Sequence, residues 1–225
     1  MPSTSPVRTP PATKGAARAV AAPAAPALGV CTLKGQSGAG MLNTWSILRA
    51  GNECGWVGFL ASGESPRQRA QSKTIHCNLY GVACTFAAPG WAPRMADYMD
   101  EHRALVTRCD LALDFFDGIS GGMDRVASDY DAGAMDHYGH RPDHNCVGAW
   151  RAGGVGRSFY FGSKAAGKQT NVYDKGVQLY GKQDATGWQR IELRYGNQKR
   201  LLPTDILRRP ADFFSGGHFG CSFAP

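Results

Sequence analysis

The segment Trp188-Gln189-Arg190-Ile191-Glu192-Leu193-Arg194-Tyr195 alternates between polar and apolar side chains without a break from Arg190 onward. Successive side chains of a strand point to opposite faces, so this pattern predicts a half-buried β-strand. Ile191, Leu193 and Tyr195 face a core, and Arg190, Glu192 and Arg194 face away from it. The stretch Thr107 to Asp114 repeats the device, with Cys109, Leu111 and Leu113 on one face and Arg108, Asp110, Ala112 and Asp114 on the other. A chain with two such strands needs a sheet with one apolar face and one densely charged face.

A third segment, Asn171-Val172-Tyr173-Asp174-Lys175-Gly176, follows the strand-like Ser158 to Gly162 and the loop Gly162 to Gln169. Read as a strand, it points Asn171, Tyr173 and Lys175 one way and Val172 toward the core. A phenol and an ammonium then stand side by side, as a tyrosine that attacks phosphate requires. A phenol with a pKa near 10 is a weak nucleophile at neutral pH, and Lys175 would stabilise the developing phenolate. Arg190, Arg194, Lys164 and Arg108 are the candidate phosphate-holding cations.

If the strand of Asp110 and Asp114 lies beside that of Glu192, three carboxylates share one face, an oxygen donor set suited to Mg2+ or Mn2+. The same acids can instead pair with Arg108, Arg190 and Arg194 in an ordinary lattice of surface charges. His137, His140 and His144, with Asp136 and Cys146 nearby, have zinc-like spacing, but Gly139 and Pro142 make the segment a polar loop. The run Gly162 to Lys168 lacks the residue order of a nucleotide P-loop.

Charge supports a polyanionic partner. The net charge of +7 is spread unevenly: residues 1–90 carry +6, residues 91–150 carry −6, and residues 151–210, around the tyrosine, carry +8. Seven cysteines without a Cys-x-x-Cys pair read as reduced thiols. No stretch of about 18 uncharged apolar residues predicts a membrane span.

Residues 1–29, rich in Pro, Ala, Ser and Thr, read as a disordered arm. Leu42 to Leu60 reads as sheet, Thr74 to Phe86 as a strand leading into a turn at Gly81, and Trp91 to Val106 as an amphipathic helix. Met123 to Met135 reads as a second helix, started by Ser120 or by the glycine pair after it. A short helix begins around Pro203. The expected organisation is an arm over 1–29, one domain over 30–214, and an irregular, truncated-looking end over 215–225.

In this order, the segments Arg108-x-Asp110-x-Ala112-x-Asp114, Tyr160-Phe161-Gly162-Ser163-Lys164, Val172-Tyr173-Asp174-Lys175-Gly176, Trp188-x-Arg190-x-Glu192-Leu193-Arg194 and Leu202-Pro203 with Ile206-Leu207 stand out. Together they resemble the replication initiation factor family of filamentous phages and rolling-circle plasmids. The resemblance covers roughly Gly81 to Phe214. It implies an α+β fold with a central, mainly antiparallel sheet and flanking helices. It also implies a rolling-circle nickase whose tyrosine, Tyr173, attacks one strand of origin DNA, stays linked to the 5′ phosphate and frees a 3′-hydroxyl primer.

Lys175 is then the catalytic cation, and Asp110, Asp114 and Glu192 are the ligands of a divalent metal, Mg2+ or Mn2+. The His-hydrophobic-His metal motif of well-known nicking enzymes is absent. Expected partners are double-stranded origin DNA, single-stranded DNA, a host helicase and polymerase, and a second copy of the chain, in the cytoplasm of a bacterial host. The alternative is a non-catalytic or truncated origin-binding protein.

Overall fold

The computed structural model describes residues 32–38, 41–61, 65–66, 69, 74–151 and 154–217. The expected arm over 1–29 and most of the irregular end lie outside the described residues. The chain is α+β and divides into two compact units, residues 1–98 and 99–225.

The first unit carries four antiparallel strands in sequential order: β1 (Thr32–Gly38), β2 (Met41–Arg49), β3 (Asn52–Ala61) and β4 (Ile75–Leu79). Its core holds Ile47, Cys54, Val57, Phe59 and Ala83, with Trp45 stacked on Phe59 at 5.2 Å between ring centroids. The strand read from Thr74 ends at Leu79, just before the expected turn at Gly81, and Gly81–Thr85 forms a short helix, α1. Helix α2 (Trp91–Glu101) follows, and the unit boundary falls within it. It stops five residues before Val106, which forms an isolated bridge with Leu202.

The second unit is built on a five-stranded antiparallel sheet in the order β5 (Arg108–Phe115), β9 (Gln189–Gly196), β8 (Lys168–Asp174), β7 (Ser158–Ser163), β6 (His144–Val147). On its apolar face, Ile191, Val172 and Phe159 lie in one cross-strand row. Helix α3 (Gly122–Asp131) covers that row with Met123, Val126 and Tyr130, one apolar stripe at three- and four-residue spacing. Full burial of side chains such as Phe159, Met123 and Ile191 stabilises the fold by about 1.5–3 kcal/mol each. Gly121, in the left-handed region, caps α3, so the glycine pair starts it.

Beyond β8 come α4 (Lys175–Tyr180), α5 (Asp205–Arg208) and α6 (Pro210–Ser215). Leu193, Tyr195, Val106, Leu202 and Ile206 form a second cluster at the far end of the sheet, where the Tyr195 hydroxyl donates to the Phe213 carbonyl at 2.8 Å.

Lys175 therefore does not continue the tyrosine strand, as the alternation suggested, but opens α4. The Gly176 N–H leaves the strand ladder to donate to the Trp188 carbonyl at 2.9 Å. A side chain at Gly176 would collide with the Asp184 carboxylate and the Thr186 hydroxyl. Only glycine lets the chain make this turn.

Candidate active site

The polar face of the β5-β9-β8 sheet is a lattice fixed by strand register. Asp114 lies across from Arg190, and Arg190 from Tyr173; Ala112 lies across from Glu192, and Glu192 from Asn171; Asp110 lies across from Arg194, and Arg194 from Gln169. The strand carrying Glu192 is thus in the middle, with acids on one side and the tyrosine on the other.

Tyr173 is largely buried, and its hydroxyl donates a long hydrogen bond to Glu192 Oε2 at 3.4 Å. Burial and the facing Glu192 push the phenol up to about 12, against the pull of Arg190. Lys175 Nζ stands 5.8 Å from the Tyr173 ring centroid and donates to Gln178 Oε1 at 2.7 Å. Phenol and ammonium are adjacent, but through the strand-to-helix turn rather than along one strand.

Each carboxylate on this face holds an arginine. Asp114 accepts from Arg190 Nε at 2.7 Å and Arg190 Nη2 at 2.8 Å, and from the Trp188 indole N–H at 2.7 Å. Asp110 is paired with Arg108 and, at 3.3 Å, with Arg194. Glu192 Oε1 accepts from Arg194 at 3.0 Å. Burial raises the Asp110 and Asp114 carboxyls, yet the guanidinium contacts outweigh it and hold both below the ordinary value.

The donor type suits a hard cation, but the arrangement does not. Among the described residues no group of three His, Cys, Asp or Glu side chains is placed to hold a metal ion. Ala112 separates the two aspartates on β5, and arginines fill the spaces between the acids. His137 and His140 are bridge partners, while His144 on β6 stacks against Phe159 at 5.6 Å.

The other expected cations spread along the sheet. Arg190 is in the tyrosine row. Arg194 and Arg108 lie toward the opposite end of the face, and Lys164 sits in the 3-10 turn between β7 and β8, at the end of the hairpin away from Tyr173. Beside Glu192 and Arg194, Asn171 Oδ1 and Gln169 Oε1 are buried without a hydrogen-bond partner.

Sequence reasoning missed two supports. Asp174 clamps the end of the tyrosine strand, accepting from the Arg157 backbone N–H at 2.8 Å and from Gln189 Nε2 at 3.0 Å. Trp188 fixes Asp114 through its indole N–H. The Asp following Tyr173 and the Trp two before Arg190 were visible in the motifs, but nothing local showed what they would reach.

Residues 104–216 match the replication initiation factor family. Among solved structures, the chain is similar to one described as the rolling circle replication initiator protein from Geobacillus stearothermophilus. The TM-score is 0.60 at 17% identity, over 93% of this chain and 74% of that one. At that identity the likeness concerns the fold. No curated protein matches the chain. Among the described residues, no helix is long and apolar enough to cross a membrane.

Proposed function

This chain belongs to the replication initiation factor family, and on that premise we propose that it nicks one strand of origin DNA in rolling-circle replication, with Tyr173 as nucleophile. The observation that carries this reading is the Tyr173 hydroxyl facing Glu192 between the Arg190 and Lys175 cations.

In the proposed step the phenol oxygen bonds to a backbone phosphorus as the bond from phosphorus to the 3′ oxygen breaks. The departing oxygen takes a proton from water and becomes the 3′-hydroxyl primer, and the 5′ phosphate stays on Tyr173. The phenol proton passes to Glu192, the carboxylate its hydroxyl faces. With the phenol pushed up to about 12, free phenolate is scarce at neutral pH, so proton transfer accompanies attack. Lys175 and Arg190 offset the charge that gathers on phenol and phosphate. Four residues along a strand span roughly 13 Å, so Arg190 and Arg194 suit separate phosphates of one strand, with Arg108 and Lys164 extending the track.

Use of Mg2+ or Mn2+ is proposed on the family resemblance. Loss of nicking in EDTA, restored by either cation, is the expected behaviour. Double-stranded origin DNA and then single-stranded DNA are the proposed substrates, with a helicase and polymerase acting on the freed 3′ end in the bacterial cytoplasm.

The test is incubation with supercoiled origin plasmid and Mg2+ or Mn2+. Nicked circles carrying protein on the 5′ end support the reading, and Tyr173→Phe with full nicking would sink it. Salt-sensitive binding without any adduct would instead favour an origin-binding protein that does no chemistry.

A further inference from the structure

The β5–β9 ladder ends at the Phe115–Gln189 pair. Two residues beyond the Asp114–Arg190 pair, Phe116 meets Trp188, with ring centroids 5.0 Å apart and planes tilted by 39°. This aromatic pair borders the Tyr173 row. Trp188 is locked from behind: its indole N–H donates to Asp114 at 2.7 Å, and the Arg190 guanidinium lies 5.9 Å from its ring centroid. Phe116 is 64% exposed, an apolar ring presented to solvent on a rigid backing. Lys175, the first residue of α4, stands over the Tyr173 ring at 5.8 Å from its centroid.

An exposed ring packed on Trp188, at the edge of the row that holds Arg190 and Tyr173, matches the stacking platforms of single-strand binding sites, where aromatic faces take bases and cations take the backbone. We propose that Phe116, backed by Trp188, stacks an unpaired base next to the scissile phosphate and so positions that phosphate for Tyr173. A duplex hides its base faces, so the platform takes single-stranded DNA. Phe116 is a positioning residue that acts through the neighbouring nucleotide. This inference rests on the nicking reading for the identity of the ligand, but the two fail differently.

The probe is an oligothymidylate of about twenty nucleotides, compared by fluorescence anisotropy with an abasic phosphodiester chain of the same length and charge. The intact protein is expected to prefer the thymidylate, and Phe116→Ala to lose about tenfold in its affinity while binding the abasic chain as before. Phe116→Trp is expected to restore the preference. Photo-crosslinking of a 5-iododeoxyuridine version is expected to map to Phe116 or Trp188.

Equal binding of both probes by the unaltered protein, or crosslinks only elsewhere, would overturn the proposal even if nicking occurs. Base preference that depends on Phe116 without any nicking would leave the platform standing and remove the catalytic reading. A Phe116→Ala protein that nicks and binds DNA normally would point to a protein partner for the ring and overturn the inference.

Discussion

The Tyr173 hydroxyl on β8 faces the Glu192 carboxylate on β9 at 3.4 Å, and Arg194 holds the other Glu192 oxygen at 3.0 Å. A carboxylate fixed in this way is placed to accept a proton. Glu192→Gln keeps the shape and the acceptor oxygen but cannot take the proton at neutral pH. Single-turnover nicking is expected to fall about 10²- to 10⁴-fold, with DNA affinity by anisotropy little changed. Undiminished nicking would remove Glu192 from the reaction.

Burial of the Tyr173 phenol, reinforced by Glu192, makes stability depend on alkaline pH. With the phenol at about 12 in the folded chain and near 10 when unfolded, the neutral phenol stabilises the fold. That contribution is complete below about pH 10 and is lost as pH rises through the folded value. Tyr173→Phe should therefore become more stable relative to the parent chain as pH climbs across this window. Thermal unfolding at a series of alkaline pH values measures the trend, and a constant difference would contradict it.

Asp114 ties β5 to β9 through Arg190 and to the aromatic pair through Trp188. Asp114→Asn is expected to cost about 1–3 kcal/mol at neutral pH in urea unfolding, because the guanidinium and indole lose a charged acceptor. The carboxyl is depressed in the fold, so its contribution is present above the unfolded value, about 3.9, and is lost as pH falls through the lower folded one. The gap between the two proteins should close in strong acid, and a gap independent of pH would show that the charge does not matter.

Lys164, exposed in the turn at the far end of the β7–β8 hairpin, is assigned to the DNA track and not to the chemistry. Lys164→Ala should lower the slope of log affinity against log salt by roughly 0.7 for single-stranded DNA. The nicking rate at saturating DNA should stay the same. An unchanged slope would place the DNA elsewhere.

Alternation made the two charged strands legible, because a period of two leaves only one way to face Ile191 and Leu193 inward. Their pairing gave the lattice its form, and the residues inside that lattice were harder to read. The pattern that gathers Asp110, Asp114 and Glu192 on one face also sets Arg190 and Arg194 among them. Which contact prevails depends on register, and the register puts Ala112, not an acid, opposite Glu192.

Lys175 looked like a strand residue because Asn171 to Lys175 alternates. The turn into α4 is dictated by Gly176 bonding to Trp188 and by the crowding of Asp184 and Thr186, which are tertiary facts. Phe116 had no local signature either, since its partner Trp188 comes from a distant strand. Strand β6 lies in the segment that Gly139 and Pro142 mark as a polar loop, and with all four of its residues exposed no apolar face sets it apart.

In the proposed reaction Tyr173 becomes covalently joined to DNA. Protein trapped after cleavage of origin DNA, digested with nuclease and trypsin and analysed by mass spectrometry, tests it most directly. A single modified peptide with a nucleotide phosphate on Tyr173 is expected, with no adduct from Tyr173→Phe. An adduct on Tyr180 or another residue, or nicked DNA with no protein attached, would contradict it.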